Sequence, residues 1–368
     1  MGAPAISIEG SASIGWLHEA CGFVADERFY FDPEVRNARA VEMEDFLARR
    51  YPDFEINFFE ANMIQSAFWR RDQILVGAIQ PNMILGMAVG AAFLCPGDKD
   101  PDIAPAPLAD LDAAGLERLR GIEWEKAGPI PRFLGQIDAM RAKHPGRPVI
   151  PTYFWDVSGR ASFHGPVTTA QKLLGERAFM LMFDDPDFLK GLLGWIADAY
   201  VTLARLFASR AGLAITGMHV GECSGCMLSP SQFDEFSAPY IQRMVDALGP
   251  GRIHTCGLSN HLIPCFAKLK NVRCINTGSL TSVRKIREAC GPGIRVETAP
   301  LAKLLASGTP DDARKFVDQS VEENGPEGAL GIVHHLDRGY PEANVLALHE
   351  RLIERGLVRR GRRHPAGG

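Results

Sequence analysis

After Pro145 the chain alternates regularly between short β-branched runs and longer segments with helical patterning. The runs are PVIPTYFWDV, LAITGMHVGE, GRIHTCG, NVRCINTG, GIRVETAP and ALGIVHH. Between them lie DPDFLKGLLGWIADAYVTLARLFASR, SPSQFDEFSAPYIQRMVDAL and TPDDARKFVDQSVEEN. Strands that alternate with helices of this length are typical of a parallel sheet with helical crossovers. Since ILVGAI and VGAAFLC supply two further strands, we predict an α/β protein with a (β/α)8 TIM barrel.

The rest of the chain is predicted to extend this barrel as a single domain. Residues 1–70 are rich in charge and aromatic groups, and VEMEDFLARRYPDF has helical patterning, so we predict an N-terminal helical extension. The barrel is expected over 71–355, and 356–368 is expected to be a flexible basic tail ending in RRGRRHPAGG. Within the barrel, Ser229-Pro230 and Thr309-Pro310 predict helix starts.

Charge and hydropathy exclude several kinds of partner. The formal net charge of −4 does not favour nucleic acid or an anionic membrane surface. The longest apolar stretch, residues 74–94, is interrupted by Gln80, Pro81 and Asn82 and is a poor membrane span. The first residues, MGAPAISIEG, lack the pattern of a secretory signal, and eight scattered cysteines do not suggest a disulfide framework. We therefore predict a cytoplasmic protein.

Two side chains at one predicted strand end have the chemistry of metal ligands. His254 and Cys256 are two residues apart, so on a strand both point the same way. The carboxyl ends of barrel strands are where active sites are assembled. Imidazole and thiolate together suit zinc rather than magnesium or calcium. The alternative is a histidine that hydrogen-bonds within the barrel rim beside an inert thiol.

Three neighbouring residues leave further alternatives open. Glu222 ends the strand LAITGMHVGE and is a candidate fourth zinc ligand or a general base. It could equally be a rim acid that caps a neighbouring loop. Cys223 and Cys226 could join His254 and Cys256 in a closed Cys3His site, which would be structural, or they could be bystanders.

Six blocks, in order, resemble the uroporphyrinogen decarboxylase superfamily over roughly residues 75–355. They are PNMILGMAVGAAFLCPGDKDPDIAP, FHGPVTTAQKLLGERAFMLMFDDPDFLKGLL, CMLSPSQFDEFSAPYIQRMVDAL, HTCGLSNHLIPCFAKL, LAKLLASGTPDDARKFVDQSV and IVHHLDRGYPEANVLAL. The decarboxylase branch of the superfamily fits poorly. The arginine-rich motif with which the decarboxylases bind propionates is missing from the first forty residues. Gly77 and Lys172 stand where the decarboxylases have an aspartate and a tyrosine.

The chain is more similar to the methylcobamide:coenzyme M methyltransferase branch. That resemblance implies zinc held by His254, Cys256 and a third ligand in the last block, where the branch has cysteine and this chain has His334. His335 would point the other way on a strand. The resemblance gives His334 and Glu222 the catalytic roles.

The function expected from this resemblance is zinc-dependent methyl transfer. Zinc would bind a small thiol acceptor as its thiolate, which attacks a methyl group delivered on a corrinoid by a partner protein. A homodimer is also expected from the superfamily. Two alternatives stay open: a metal-assisted lyase, decarboxylase or hydrolase on the same scaffold, and a barrel that binds a ligand without catalysis.

Overall fold

The computed structural model describes residues 6–58, 71–77 and 79–361, and its strands are mostly short and parallel. The strands are β1 Ile6–Ala12, β2 Ile56–Phe58, β3 Ile74–Leu75, β4 Phe93–Leu94, β5 Asp102–Ile103, β6 Val149–Ile150, β7 Arg160–His164, β8 Gly217–Gly221, β9 Gly251–Thr255, β10 Val272–Gly278, β11 Arg295–Ala299 and β12 Leu330–Leu336. Eight of them form one sheet in the order β2–β1–β12–β11–β10–β9–β8–β7, and every neighbouring pair in it is parallel. The predicted α/β class and parallel sheet are confirmed as a TIM-barrel-like arrangement.

Helices connect the strands and cover one face of the sheet. They are α1 Ile14–Cys21, α2 Glu27–Phe31, α3 Pro33–Arg50, α4 Pro81–Ala88, α5 Ala113–Arg120, α6 Ile130–Lys143, α7 Pro166–Leu174, α8 Arg177–Asp184, α9 Pro186–Ala211, α10 Pro230–Phe236, α11 Ala238–Leu248, α12 Ile263–Phe266, α13 Val283–Cys290, α14 Ala302–Ser307, α15 Pro310–Asn324 and α16 Glu342–Glu354. The predicted starts of α10 and α15 are confirmed, because Ser229 and Thr309 are N-caps that each form a capping box.

The N-terminal segment is not the purely helical extension that the sequence predicted. It contains α1, α2 and α3, but β1 belongs to the main sheet and pairs with β12 along its whole length, from Ile6 opposite Leu330 to Ala12 opposite Leu336. On its other side β1 pairs with β2. The alternation Ile-Ser-Ile-Glu is a strand pattern that the surrounding helical composition obscured. Residues 1–5 and 59–70 of the predicted extension, and the tail from residue 362, lie outside the described residues.

Two predicted barrel strands turn out differently. Within VGAAFLC only β4 forms, and it pairs antiparallel with β5 as a hairpin outside the main sheet. Within ILVGAI only β3 is a strand, and it pairs in parallel with β6 as a separate two-stranded sheet. Among the described residues, hydrogen bonding does not join β2 to β7, so the main sheet has eight strands but is not closed by ladder bonds.

The strands have an apolar face toward the helices and a polar face toward the barrel interior. Ile253, Ile275 and Ile332 are buried on the helix side. On the opposite face, a Cβ at Gly331 would meet the side chains of Arg295 and Glu297, so position 331 faces the interior. Because side chains alternate along a strand, this phase decides which residues of each strand can reach the site.

Helix α9 is the one described helix that is long and apolar enough to cross a membrane by length and composition. Of its most hydrophobic window, 67% is buried inside the protein. The buried positions include Leu193, Ile196, Tyr200 and Leu203. A core helix of a globular fold meets the same criterion, so this helix is weak evidence for a membrane span.

Candidate metal centre

Three potential metal ligands converge at the carboxyl ends of β8 and β9. The ligand atoms of Cys223, His254 and Cys256 all lie within 4.8 Å of one another. His254 Nε2 lies 3.1 Å from Cys256 Sγ. Cys223 opens the 3-10 turn that follows β8, and the register places Gly221 at the end of β8 opposite His254. The predicted pairing of His254 with Cys256 is thus accompanied by a cysteine from the adjacent strand.

A chain of hydrogen bonds orients the His254 ring. Its Nδ1 bonds to Asn276 Oδ1, and Asn276 Nδ2 donates to Glu297 Oε2 at 3.2 Å. Burial alone would raise the pKa of Glu297, but the neighbouring Arg252 and Arg295 guanidinium groups lower it to about 2. Glu297 is therefore ionised and can only accept.

This series of hydrogen bonds determines which nitrogen of His254 carries a proton. Because Glu297 can only accept, the amide nitrogen of Asn276 must face it, which leaves the amide oxygen facing His254. His254 consequently carries a proton on Nδ1, and Nε2, the nitrogen that faces Cys256, is the one that can offer a lone pair to a metal. That is the tautomer a metal-ligating histidine adopts when its other nitrogen donates to a neighbour.

The pKa values of the two cysteines in the group are shifted in opposite directions. The hydrogen bond from Cys223 is the largest influence that lowers the pKa of Cys256, and His254 lowers it further against the opposing effect of burial. The same hydrogen bond, together with burial, raises the pKa of Cys223. Cys256 is thus the thiol that ionises first, and it is the more exposed of the two.

Cys226 stands apart from this group. Its thiol donates to the backbone carbonyl of Cys223 at 3.2 Å, within the same 3-10 turn. Among the described residues, it is not one of the ligands that lie within 4.8 Å of one another. The closed Cys3His arrangement considered from the sequence is therefore not the geometry of this site.

Glu222, expected as a ligand or base, is fully buried and already accepts four hydrogen bonds. Its Oε1 accepts from the backbone N–H of Thr168 at 2.7 Å and from the Thr168 hydroxyl at 2.6 Å. Its Oε2 accepts from the Ser237 hydroxyl at 2.9 Å and the Val167 N–H at 3.2 Å. The carboxylate thus caps the start of α7, where unpaired N–H groups and the helix dipole favour an anion. Of the alternatives for Glu222, the capping role fits.

His334, expected as the third ligand, faces away from the group. Its Nε2 lies 2.7 Å from Nε2 of His349 on α16, and its side chain is almost fully buried. Burial is the main cause that lowers the pKa of His334 well below its usual range. His334 shares the phase of Ile332, and this helix-facing phase is the physical reason that it cannot reach His254.

Two other histidines face the interior instead: His335, which the sequence analysis set aside in favour of His334, and His164, which it did not consider. His335 follows His334 in the opposite phase and bonds to Ser11 at 2.5 Å. Burial lowers its pKa and the neighbouring His254 lowers it further, whereas Asp337 raises it. His164 ends β7, and its pKa is lowered to about 3 by burial and by His254. The signal for both was the alternation along the strand, whose phase the sequence left undetermined.

Most of the sequence matches a known protein family. The family described as uroporphyrinogen decarboxylase (URO-D) matches residues 82–354, about three quarters of the chain. The chain belongs to the uroporphyrinogen decarboxylase family. The match spans α4 to α16 and therefore includes every residue of the candidate metal centre.

Two curated relatives of this URO-D family member carry different activities in their names. A methylated-thiol–coenzyme M methyltransferase from Methanosarcina mazei is 25% identical over 58% of this chain and 54% of its own length. A uroporphyrinogen decarboxylase from Syntrophotalea carbinolica is 26% identical over 64% of this chain and 67% of its own length. The chain thus spans about half the length of the first relative. A solved methyltransferase from Methanosarcina mazei matches at a TM-score of 0.59 and 17% identity, covering 96% of this chain and 94% of that one, and supports the fold.

Two positions where the URO-D family member departs from the decarboxylase pattern have definite surroundings. Gly77 has φ +67°, and a Cβ there would lie 3.1 Å from the ring of Phe133, so an aspartate would be strained. Lys172, on α7, forms an ion pair with Asp102 of β5. Neither position holds the group expected of the decarboxylase branch.

Proposed function

We propose that the chain is a methyltransferase whose metal centre is formed by Cys223, His254 and Cys256 and which transfers a methyl group to a small thiol. The observation that carries this proposal is the convergence of two thiols and one imidazole within 4.8 Å of one another. His334 and Glu222 have no part in it, because their side chains are engaged elsewhere.

The donor set fits zinc in number and in kind. Zinc binds cysteine sulfur at about 2.3 Å and histidine nitrogen at about 2.0–2.1 Å, so tetrahedral ligands lie roughly 3.3–3.8 Å apart. Here His254 Nε2 and Cys256 Sγ lie 3.1 Å apart and all three ligand atoms lie within 4.8 Å of one another, so small side-chain shifts would bring them to that spacing. Three protein ligands leave one position open, as in catalytic rather than structural sites. When bound, zinc would supply a Lewis acid that lowers the pKa of a coordinated thiol.

The chain's own residues prepare the site for this chemistry. Asn276 holds the His254 ring with its Nε2 lone pair toward the centre, and Glu297 holds Asn276. Cys256 supplies the readily ionised thiol and Cys223 the second. In the transfer, a bond forms between the acceptor sulfur and the methyl carbon. The bond between that carbon and its carrier breaks, and its electron pair leaves with the carrier.

The relatives support the choice of substrate class. One of them is named for transfer between methylated thiols and coenzyme M. We propose that a small thiol is the acceptor and that the methyl group arrives on a corrinoid carried by a partner protein. The homodimer and the cytoplasmic location expected from the sequence stay predictions.

The rival proposal, hydrolysis or lyase chemistry with Glu222 as the base, is less well supported. All four hydrogen bonds to its carboxylate come from residues that position α7 and the start of α11. A base also has to reach the atom whose proton it takes. If the protein binds zinc but transfers no methyl group to any thiol, the favoured interpretation would be a barrel that binds a ligand without catalysis.

The test is a matched pair of cysteine variants. Cys223→Ser should remove most of the zinc that the purified protein holds, as should His254→Ala, while the far-UV circular dichroism stays unchanged. Cys226→Ser, only three residues away, should keep about one zinc per chain. Elemental analysis gives the metal content, and free methylcobalamin with a panel of small thiols gives the transfer rate.

Two results would contradict the proposal. Full zinc occupancy in Cys223→Ser would remove Cys223 from the centre. Full zinc occupancy in the parent without transfer to any thiol, from methylcobalamin or from a corrinoid protein, would favour the ligand-binding alternative.

A further inference from the structure

A cavity of about 610 Å³ opens at the end of the barrel opposite the candidate metal centre. It is lined mainly by residues in the first halves of β1 and of β7 to β11, whereas Cys223, His254 and Cys256 lie at or just after the ends of strands. The cavity and the candidate metal centre therefore lie at opposite ends of the strands. The three metal ligands do not line this cavity, and the two sites are connected through Glu297, which lines the cavity and holds Asn276.

Four guanidinium groups line the cavity, from Arg160, Arg252, Arg273 and Arg295. Arg160 and Arg295 are the first residues of β7 and β11. Arg252 and Arg273 are the second residues of β9 and β10. Among the described residues that line the cavity, the carboxylates are those of Glu9 and Glu297.

Three of the arginines are engaged in pairs. Arg252 and Arg295 share Glu297, with nitrogen to oxygen distances of 2.5 and 2.9 Å. Arg160 pairs with Asp156 at 2.5 Å. Counting Asp156 with Glu9 and Glu297, four positive charges face three negative ones.

Arg273 is the source of the positive excess. Among the residues that the structure describes, it has no hydrogen-bond or ion-pair partner, and it is exposed at the cavity mouth. Arg295, which also lines the cavity, keeps one nitrogen for a ligand. Arg295 bonds through Nε to Glu297 and through Nη2 to Ser7, which leaves its Nη1 directed at neither partner.

This lining is energetically unusual for a barrel floor. The interior of such barrels is normally filled by layers of bulky apolar side chains. Charged groups removed from water carry a desolvation cost that pairing only partly offsets, and apolar residues of similar volume are often more stabilising. A barrel floor that carries four guanidinium groups, with one positive charge in excess, therefore suits a ligand better than it suits stability.

We propose that this cavity binds the oxyanion group, phosphate or carboxylate, of a small molecule. Guanidinium groups recognise such groups through paired, charge-assisted hydrogen bonds. The volume lies in the range of small-molecule sites, roughly 300–1,000 Å³. Arg273 supplies the positive charge that the ion pairs of the lining do not neutralise. The negative charge of Glu9 disfavours an anion in the cavity.

Calorimetric titration of the purified full chain tests the site, with inorganic phosphate and malonate as separate probes against chloride at matched ionic strength. One probe or both should bind saturably. Arg273→Ala should weaken that binding roughly tenfold, the effect of losing one charge-assisted hydrogen bond. Glu9→Gln should strengthen it, because a negative charge is removed from the lining. Arg118→Ala, an exposed change on α5, is the control and should leave binding unchanged.

The relative response of the two probes identifies the ligand group, since phosphate and malonate distinguish a phosphate from a carboxylate ligand. The absence of saturable binding by either probe at millimolar concentration would overturn the proposal. So would affinities in Arg273→Ala and Glu9→Gln equal to the parent's, or a loss of affinity in Arg118→Ala as large as in Arg273→Ala. Because the readout is anion binding, it is independent of whether the chain transfers methyl groups.

Discussion

Replacing Glu222 by glutamine separates the capping role of this carboxylate from a role at the metal. Glutamine keeps one oxygen and replaces the other with an NH2 donor. The amide nitrogen is best placed at the Oε2 position, because the Ser237 hydroxyl there can turn and accept from it. The Val167 N–H, now bonded to Oε2 at 3.2 Å, then loses its acceptor.

The magnitude follows from that single orphaned donor. A buried donor left without a partner costs about 1–3 kcal/mol. The two bonds from Thr168, at 2.7 and 2.6 Å, persist on the remaining oxygen. We therefore expect Glu222→Gln to lower the free energy of unfolding by about 1–3 kcal/mol. Zinc content and the transfer rate per zinc-loaded molecule should stay at the parent level.

Urea unfolding followed by far-UV circular dichroism measures the stability, and elemental analysis measures the metal. Glu327→Gln, an exposed change, is the control and should alter stability by less than about 0.5 kcal/mol. Parent-level stability of Glu222→Gln, together with loss of zinc or of the transfer reaction, would contradict the capping role. Glu222 would then act at the centre as the sequence suggested.

Three further perturbations test the surroundings of the site. Asn276→Ala should weaken zinc binding roughly 10- to 100-fold, as loss of a hydrogen-bond partner of a ligating histidine does, in a competition assay with a chelator. Burial lowers the folded-state pKa of His349 to about 3. The neutral ring therefore contributes fully to stability above about pH 6.5, the pKa of histidine in an unfolded chain. This contribution is lost as the pH falls from there toward the folded-state pKa. His349→Phe should therefore flatten the pH dependence of the unfolding free energy over this window. A Cβ at Gly165 would collide with the Glu222 carboxylate, so Gly165→Ala should cost about 1–3 kcal/mol, whereas Gly293→Ala, with nothing within 4 Å, should cost little.

Local signals predicted the features that local chemistry determines. Ser229 and Thr309 cap their helices as expected, because each side chain bonds to a backbone N–H only three residues on. The parallel sheet followed from the alternation of strands and helices after Pro145. The strand β1 was missed because its seven residues are stabilised by pairing with β12, more than 300 positions away. Its contribution to the fold is therefore a property of the tertiary structure.

The sequence could not determine the phase of β12, and this explains the error at His334. In GIVHHL the residues before the two histidines are both apolar, so neither face of the strand is marked as the interior. The structure marks it through Gly331, where a side chain would collide with Arg295 and Glu297 from β11. Only the neighbouring strand supplies this information, and it directs His335 rather than His334 inward.

The replacement of His334 by Cys223 in the proposed ligand set also changes the chemistry expected of the centre. One thiolate and two imidazoles around Zn²⁺ would leave a net charge of +1, which favours ionisation of a bound thiol or water. Two thiolates and one imidazole leave the centre neutral. A neutral centre lowers the pKa of a bound thiol less, but it leaves the resulting thiolate more nucleophilic, because less of its electron density is withdrawn. The set formed by Cys223, His254 and Cys256 therefore suits attack by sulfur on carbon better than activation of water, and this is the physical reason to prefer methyl transfer over hydrolysis for this chain.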